Sequence, residues 1–459
     1  MTKATSPLIN RFLLLLIIGT LLPTLVNGAQ VREWFENESV FGGEVYLKSA
    51  GNPDNPAVVL VHGLGDEAST CWDDLFQRLP GDYFVLAFDL PGFGRSSKAN
   101  VVYSPANYSR LIRQLTRKHV GKAFHLVGHS MGGAISLQYT HDYPDTVKTL
   151  TLVDPAGILH RQAYTKYLAP LGIDRVLNQY NMFDDRKVTN LAGALMSALE
   201  KRAPVNMDLL INLEPFRTKV LRGEPSAIAG LALVQNDFSR VPETIHQPTL
   251  IVWGEQDKIA PVRTGYMLES LIPNARLELI PGGHVAFIEQ PQRFYDLLKP
   301  QLEQTWKPAP ERGMKPAQSA YRATVECRGE SDRVFSGRIG SLLIENCHNI
   351  LVQDAEINSV VVIDSSVTLR NSRIISLGTA LTAHNSTLTL TAGHVEGSIA
   401  IESYNSRLDI AGTQLVGQEA AVAAPVDSTL VFSLVRIDSP LYPDLVIHGM
   451  KIVSPGTSL

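Results

Sequence analysis

Between residues 347 and 437 the chain repeats itself, and that repeat restricts what this part can fold into. Five copies align when the last apolar residue of each serves as an anchor: Ile357, Ile374, Val395, Leu415 and Ile437, spaced 17, 21, 20 and 22 residues apart. Seven positions before the anchors stand Ile350, Val367, Leu388, Leu408 and Leu430. Five before them stand Val352, Leu369, Leu390, Ile410 and Phe432. Ten before come Cys347, Asp364, Asn385, Asn405 and Asp427, with Ser next in four of the five copies. One copy alone cannot bury its apolar face, whereas stacked copies can, so the spacing predicts one turn of a β-solenoid per copy. A β-sandwich with irregular hairpins is the competing fold. Three before the anchors stand Asp354, Asn371, Ala392, Gly412 and Leu434, which is no acidic ladder for calcium and argues against a polysaccharide lyase. His394 falls between ladder positions and has no matching His in the other copies.

At 459 residues the chain exceeds what one core usually organises, so two domains are expected. Ahead of the repeats, six strand candidates alternate with helix-like segments: AVVLVHG (57–63), YFVLAFDL (83–90), FHLVGHS (124–130), KTLTLVD (148–154), TLIVWGE (249–255) and RLELIPG (276–282). Most are near-continuous apolar runs, as strands covered on both faces of a parallel sheet require. A doubly wound α/β domain over 29–305 follows. No clear strand interrupts about 155–247, where segments such as VTNLAGALMSALEK (188–201) read as a helical cap above the C-terminal edge of the sheet. WKPAPERGMKPAQSA (306–320) reads as a linker, and residues 321–459 form the solenoid-like region.

Residues 1–28 have the layout of an export signal: Lys3 and Arg11, the apolar run Phe12–Val26, then small residues before Ala29. Export, to the periplasm or beyond the cell, would permit a disulfide, and Cys327 and Cys347 are the pair available in the C-terminal region. Cys71 stands apart from them. A net charge of −4 leaves no basic footprint for nucleic acid, and no Cys/His cluster has zinc spacing.

The chemistry centres on GHSMGG (Gly128–Gly133), which follows a strand candidate and precedes a helix. G-x-S-x-G in that context is a tight turn that exposes a serine hydroxyl, with Gly128 and Gly132 where a side chain would collide with backbone. Serine needs a base, and the base an orienting acid. Asp257 closes the strand candidate TLIVWGEQD and His284 follows RLELIPGG, each on a loop just past a strand. Glu255 is the alternative acid. Backbone N–H groups of Met131 and of Leu64, in VHGLGDE (61–67), suit an oxyanion hole, and His62 reads as structural.

VHGLGD, DLPGFGRSS (89–97), LVGHSMGG, GEQDKIAP (254–261) and GGHVAFIEQP (282–291), in this order, resemble the α/β-hydrolase superfamily over about residues 40–305. The run FHLVGHSMGG … LVDPAGI is similar to bacterial lipases and esterases related to the monoacylglycerol lipases. The resemblance implies Ser130 as nucleophile, Asp257 as acid, His284 as base, and Leu64 and Met131 as oxyanion donors. Together with the export signal, which is a departure from that family, it leads to an exported hydrolase of acyl esters that needs no metal or organic cofactor. An apolar cap (Leu191, Leu195, Met196) would suit an acyl chain. The alternatives are a carbon–carbon bond hydrolase of the same fold, and a surface-binding protein in which the solenoid works and the hydrolase domain is inert. The repeat domain itself suggests docking to a protein partner or to the cell envelope.

Overall fold

A computed structural model describes residues 30–160, 207–305, 322–453 and 459. The export signal, the linker and about half of the cap expected from the sequence, Leu191, Leu195 and Met196 included, lie outside those residues.

All six apolar runs form strands of one eight-stranded sheet, ordered β1-β2-β4-β3-β5-β6-β7-β8. These are β1 (Arg32–Asn37), β2 (Glu44–Ala50), β3 (Ala57–Val61), β4 (Phe84–Phe88), β5 (Phe124–His129), β6 (Val147–Val153), β7 (Thr249–Gly254) and β8 (Ala275–Ile280). From β4 onward along that order every pairing is parallel, while β1 and β2 add an antiparallel edge. Every residue of β3, β4, β5 and β7 is buried, which accounts for their unbroken hydrophobicity. Each fully covered Val or Leu there stabilises the fold by about 1.5–3 kcal/mol. The order reverses around β3, and the C-terminal ends of β5, β6 and β7 line up beside it, where such sheets bind ligands.

The C-terminal region is all β: β9 (Arg322–Arg328), β10 (Val334–Glu345), β11 (Ile350–Ile363), β12 (Ser366–Arg370), β13 (Arg373–Ile375), β14 (Thr379–His384), β15 (Thr387–Thr391), β16 (His394–Tyr404), β17 (Arg407–Ala411), β18 (Gln414–Ala423), β19 (Ser428–Asp438) and β20 (Leu445–Val453). Successive turns pair in parallel, and only β20 runs antiparallel, against β19. The apolar ladders fall in register. Ile350, Val367, Leu388, Leu408 and Leu430 are consecutive partners, and so are Ile357, Ile374, Val395, Leu415 and Ile437. A third wall has its own ladder, Leu342, Val360, Leu381, Ile401 and Val422.

One column of the sequence alignment is displaced. The polar turn is formed by Asn346, Asp364, Asn385 and Asn405, all with φ between +46° and +53°. Cys347 therefore occupies the serine column, and its N–H donates to Ser365 Oγ at 2.9 Å. The N–H groups of Ser365, Ser386 and Ser406 donate in the same way to Ser386, Ser406 and Ser428. The first copy carries one extra residue in this turn, and counting back from its anchor misses it by one. Cys347 is disulfide-bonded to Cys327 on β9, tying the first two turns together.

The column Asp354, Asn371, Ala392, Gly412 and Leu434 is a left-handed corner, with φ between +45° and +54° throughout. Asp354 and Asn371 are exposed and bonded to each other, as suits the residues that tolerate this backbone best. Ala392, Gly412 and Leu434 become progressively buried because the α/β domain docks there. Ala411, Val431 and Leu434 join the hydrophobic core of that domain. A Cβ on Gly412 would lie 2.5 Å from Met267 Cγ in the helix Arg263–Leu271. At the start of that helix Arg263 pairs with Asp409 at 2.8 Å and donates to Thr391 Oγ1 at 3.1 Å. His160 N donates to Ser433 Oγ, Arg436 pairs with Glu243, and Arg370 stacks over Tyr266.

Candidate active site

Ser130 sits between β5 and the helix Met131–Asp142 with φ +53° and ψ −120°, a backbone strain that the fold holds in place. The glycines on either side permit the turn. A Cβ on Gly132 would lie 2.3 Å from the carbonyl of His62, and one on Gly128 would lie 2.3 Å from the carbonyl of Gly132. The elbow is thus wedged against the end of β3, beside the loop that carries Leu64. Met131 opens the helix, so its N–H has no intrahelical acceptor. Leu64 is half-buried opposite Gly230 of the helix Pro225–Gln235.

The three residues singled out in the sequence come together. His284 Nε2 lies 2.8 Å from Ser130 Oγ, and its Nδ1 lies 2.8 Å from Asp257 Oδ2. An ionised carboxylate can only accept, so Nδ1 carries the ring proton and Nε2 is left to accept from the serine hydroxyl. Asp257 Oδ1 accepts from the N–H groups of Ile259 and Ala260, at 2.7 and 3.0 Å, which fixes the carboxylate on its loop. Ser130, Asp257 and His284 are each buried to within 5% of full cover. Burial raises the strength of every charge–dipole contact among them. Glu255, the alternative acid, points into solvent two residues away.

Two histidines brace this arrangement. His62 accepts from Leu90 N at Nε2 and donates from Nδ1 to the Gly63 carbonyl, so both its nitrogens serve the backbone. Burial holds it neutral, with its pKa down at about 4 despite Asp89 nearby. His129, the residue before the serine, donates from Nε2 to the carbonyl of His284 at 2.8 Å. Its ring lies between those of His284 and Phe287, and burial, aided by His284, holds it well below the usual histidine range. Sequence reasoning passed over His129 because it is the variable position of G-x-S-x-G. It also passed over Asp154, a fully buried carboxylate at the end of β6.

A parallel sheet whose strand-to-helix elbow presents a serine at its C-terminal edge defines an α/β hydrolase. The family described as alpha/beta hydrolase fold matches residues 56–291, just over half of the chain, and the chain belongs to it. Its relatives include an uncharacterized protein of Mycobacterium tuberculosis, 29% identical over 65% of this chain and 88% of its own length. Lipase 1 of Psychrobacter immobilis is 30% identical, over 54% of this chain and 77% of its own. Monoacylglycerol lipase abhd6-B of Xenopus laevis is 27% identical, over 57% of this chain and 80% of its own. The family match lies within the α/β domain.

Proposed function

We propose that this hydrolase is an exported, lipase- or esterase-like enzyme that cleaves carboxylic esters of acyl chains through Ser130, His284 and Asp257. The observation that carries the reading is the unbroken relay from Ser130 Oγ through His284 to Asp257, with both links at 2.8 Å. Ser130 attacks the ester carbonyl while His284 Nε2 takes its proton. The N–H groups of Leu64 and Met131 hold the developing oxyanion. His284 returns the proton to the leaving alcohol, and an acyl-enzyme remains. Water, deprotonated by the same histidine, then releases the acid. The lipase relatives favour acyl esters and lipids as substrates. The Cys327–Cys347 pairing favours an oxidising compartment, in keeping with residues 1–28 as an export signal.

The test is hydrolysis of p-nitrophenyl esters of several chain lengths, with labelling by a fluorophosphonate probe. Ser130→Ala should abolish labelling and lower kcat by about 10⁴-fold or more. A variant that kept wild-type ester turnover would overturn the assignment.

A further inference from the structure

Asp154 directly follows β6 and is fully buried, with φ +45°. Its N–H donates to Val252 O, and its Oδ1 accepts from Gly254 N at 2.8 Å, so both ends of the residue are fastened to β7. Its second oxygen, Oδ2, has no N–H or O–H donor among the described residues. The side chain it meets is Asp257. Two buried carboxyl groups that face each other do not both stay ionised, and the donors around them decide which one keeps a proton. Asp257 accepts from three donors, Ile259 N, Ala260 N and His284 Nδ1, whereas Asp154 accepts from one. The negative charge therefore belongs on Asp257.

We propose that Asp154 is a neutral carboxylic acid that donates a hydrogen bond to the Asp257 carboxylate and so holds that carboxylate in line with His284. It acts through Asp257 and touches no substrate, which makes it a positioning residue; this role rests on the proposed triad. Burial is the main force keeping the proton on Asp154, followed by the charge of Asp257, with Glu289 adding to it and the Gly254 N–H opposing it. The groups facing the pair are thus His284, Glu289 and the backbone of β7. Four donors on Asp257 would leave it little freedom to swing away when His284 becomes charged during turnover.

Asp154→Asn keeps the shape, the acceptor for Gly254 N and a donor for Asp257, whereas Asp154→Ala removes all three. With Asp154 neutral, the Asn variant should stay within about threefold of wild type in kcat/KM and keep the acid limb of its pH profile. The Ala variant should lose about tenfold to a hundredfold in kcat with little change in KM. Were Asp154 ionised, the Asn variant would remove a negative charge near His284 and move the acid limb to lower pH. That shift would overturn the proposal.

A second measurement needs no activity. In the unfolded chain Asp154 loses its proton near its ordinary value of 3.8, while in the fold it keeps it. Above that pH the unfolded state binds fewer protons, so this residue makes stability fall as pH rises. The Tm of Asp154→Asn minus that of wild type should be near zero at about pH 4 and grow towards about pH 7. A difference that stays flat over that range would refute the neutral acid. Should wild type prove inactive on esters, the proposed function fails and this thermal comparison still decides the state of Asp154.

Discussion

Replacing Arg263 by Ala should uncouple the two domains measurably. Arg263 joins Asp409 through Nη1 at 2.8 Å, Thr391 Oγ1 through Nε at 3.1 Å, and the carbonyls of Leu390 and Asp409 through Nη2 at 3.3 and 3.4 Å. The side chain of Asp409 is 5% exposed and that of Arg263 is 18% exposed. Truncating the arginine leaves a carboxylate buried without its cation, which costs about 3–5 kcal/mol. Arg263→Lys keeps the charge and loses the planar fork, so it should fall between wild type and Ala. In Arg263→Ala/Asp409→Ala the orphaned charge is gone, and the loss should be smaller than the sum of the single losses by about 1–3 kcal/mol. All four tryptophans, Trp34, Trp72, Trp253 and Trp306, precede the solenoid. Trp253 lies under Gly265 of the docking helix. Urea unfolding followed by tryptophan fluorescence therefore reports on the α/β domain while the substitution removes a contact to the other one. A midpoint for Arg263→Ala that coincides with wild type would refute the view that the solenoid stabilises its neighbour.

Gly412→Val places a branched side chain at φ +54° against the buried Met267, and should lower the unfolding free energy read from the same transition by about 2 kcal/mol or more. Acid should weaken the fold through His62 and His125, both buried and both held down to about 4 chiefly by burial. Their folded values lie below the unfolded 6.5, so the unfolded chain binds more protons and stability falls as pH drops from 6.5 towards 4. The loss is on the order of 3 kcal/mol for each, and thermal melts across that window, with His125→Gln as the flattened control, would measure it.

Where burial dictated residue type on its own, the sequence could be read directly. The six covered strands are continuous apolar runs because both of their faces are sealed, and the ladder residues recur because each stacks on its own copy. The antiparallel edge was harder to see: REWFEN in β1 alternates exposed and half-buried residues and carries little apolar signal. The third solenoid wall hid because insertions between copies vary and Ala383, Ser403 and Ala420 dilute the pattern. Ser130, Asp257 and His284 were legible since each stands at the end of a recognisable strand. Asp154 stands at such an end too, but its partner is another acid, and pairing two carboxyl groups is not an expectation that residue types suggest. The docking of the solenoid was legible only in retrospect, as the change from Asp354 and Asn371 to Ala392, Gly412 and Leu434 along one corner.

That change has a consequence for how the molecule can grow. Polar corners remain where the early turns face solvent, and apolar or side-chain-free corners appear where the later turns meet the helix Arg263–Leu271. A turn added or deleted between Asp332 and Asn371 would leave every contact of Gly412, Leu434 and Arg263 in place. It would move the outer end of the stack by about 4.8 Å, the spacing of neighbouring strands. The solenoid is in this sense a ruler fixed at one end, whose length can be reset in whole turns without renegotiating its attachment to the enzyme.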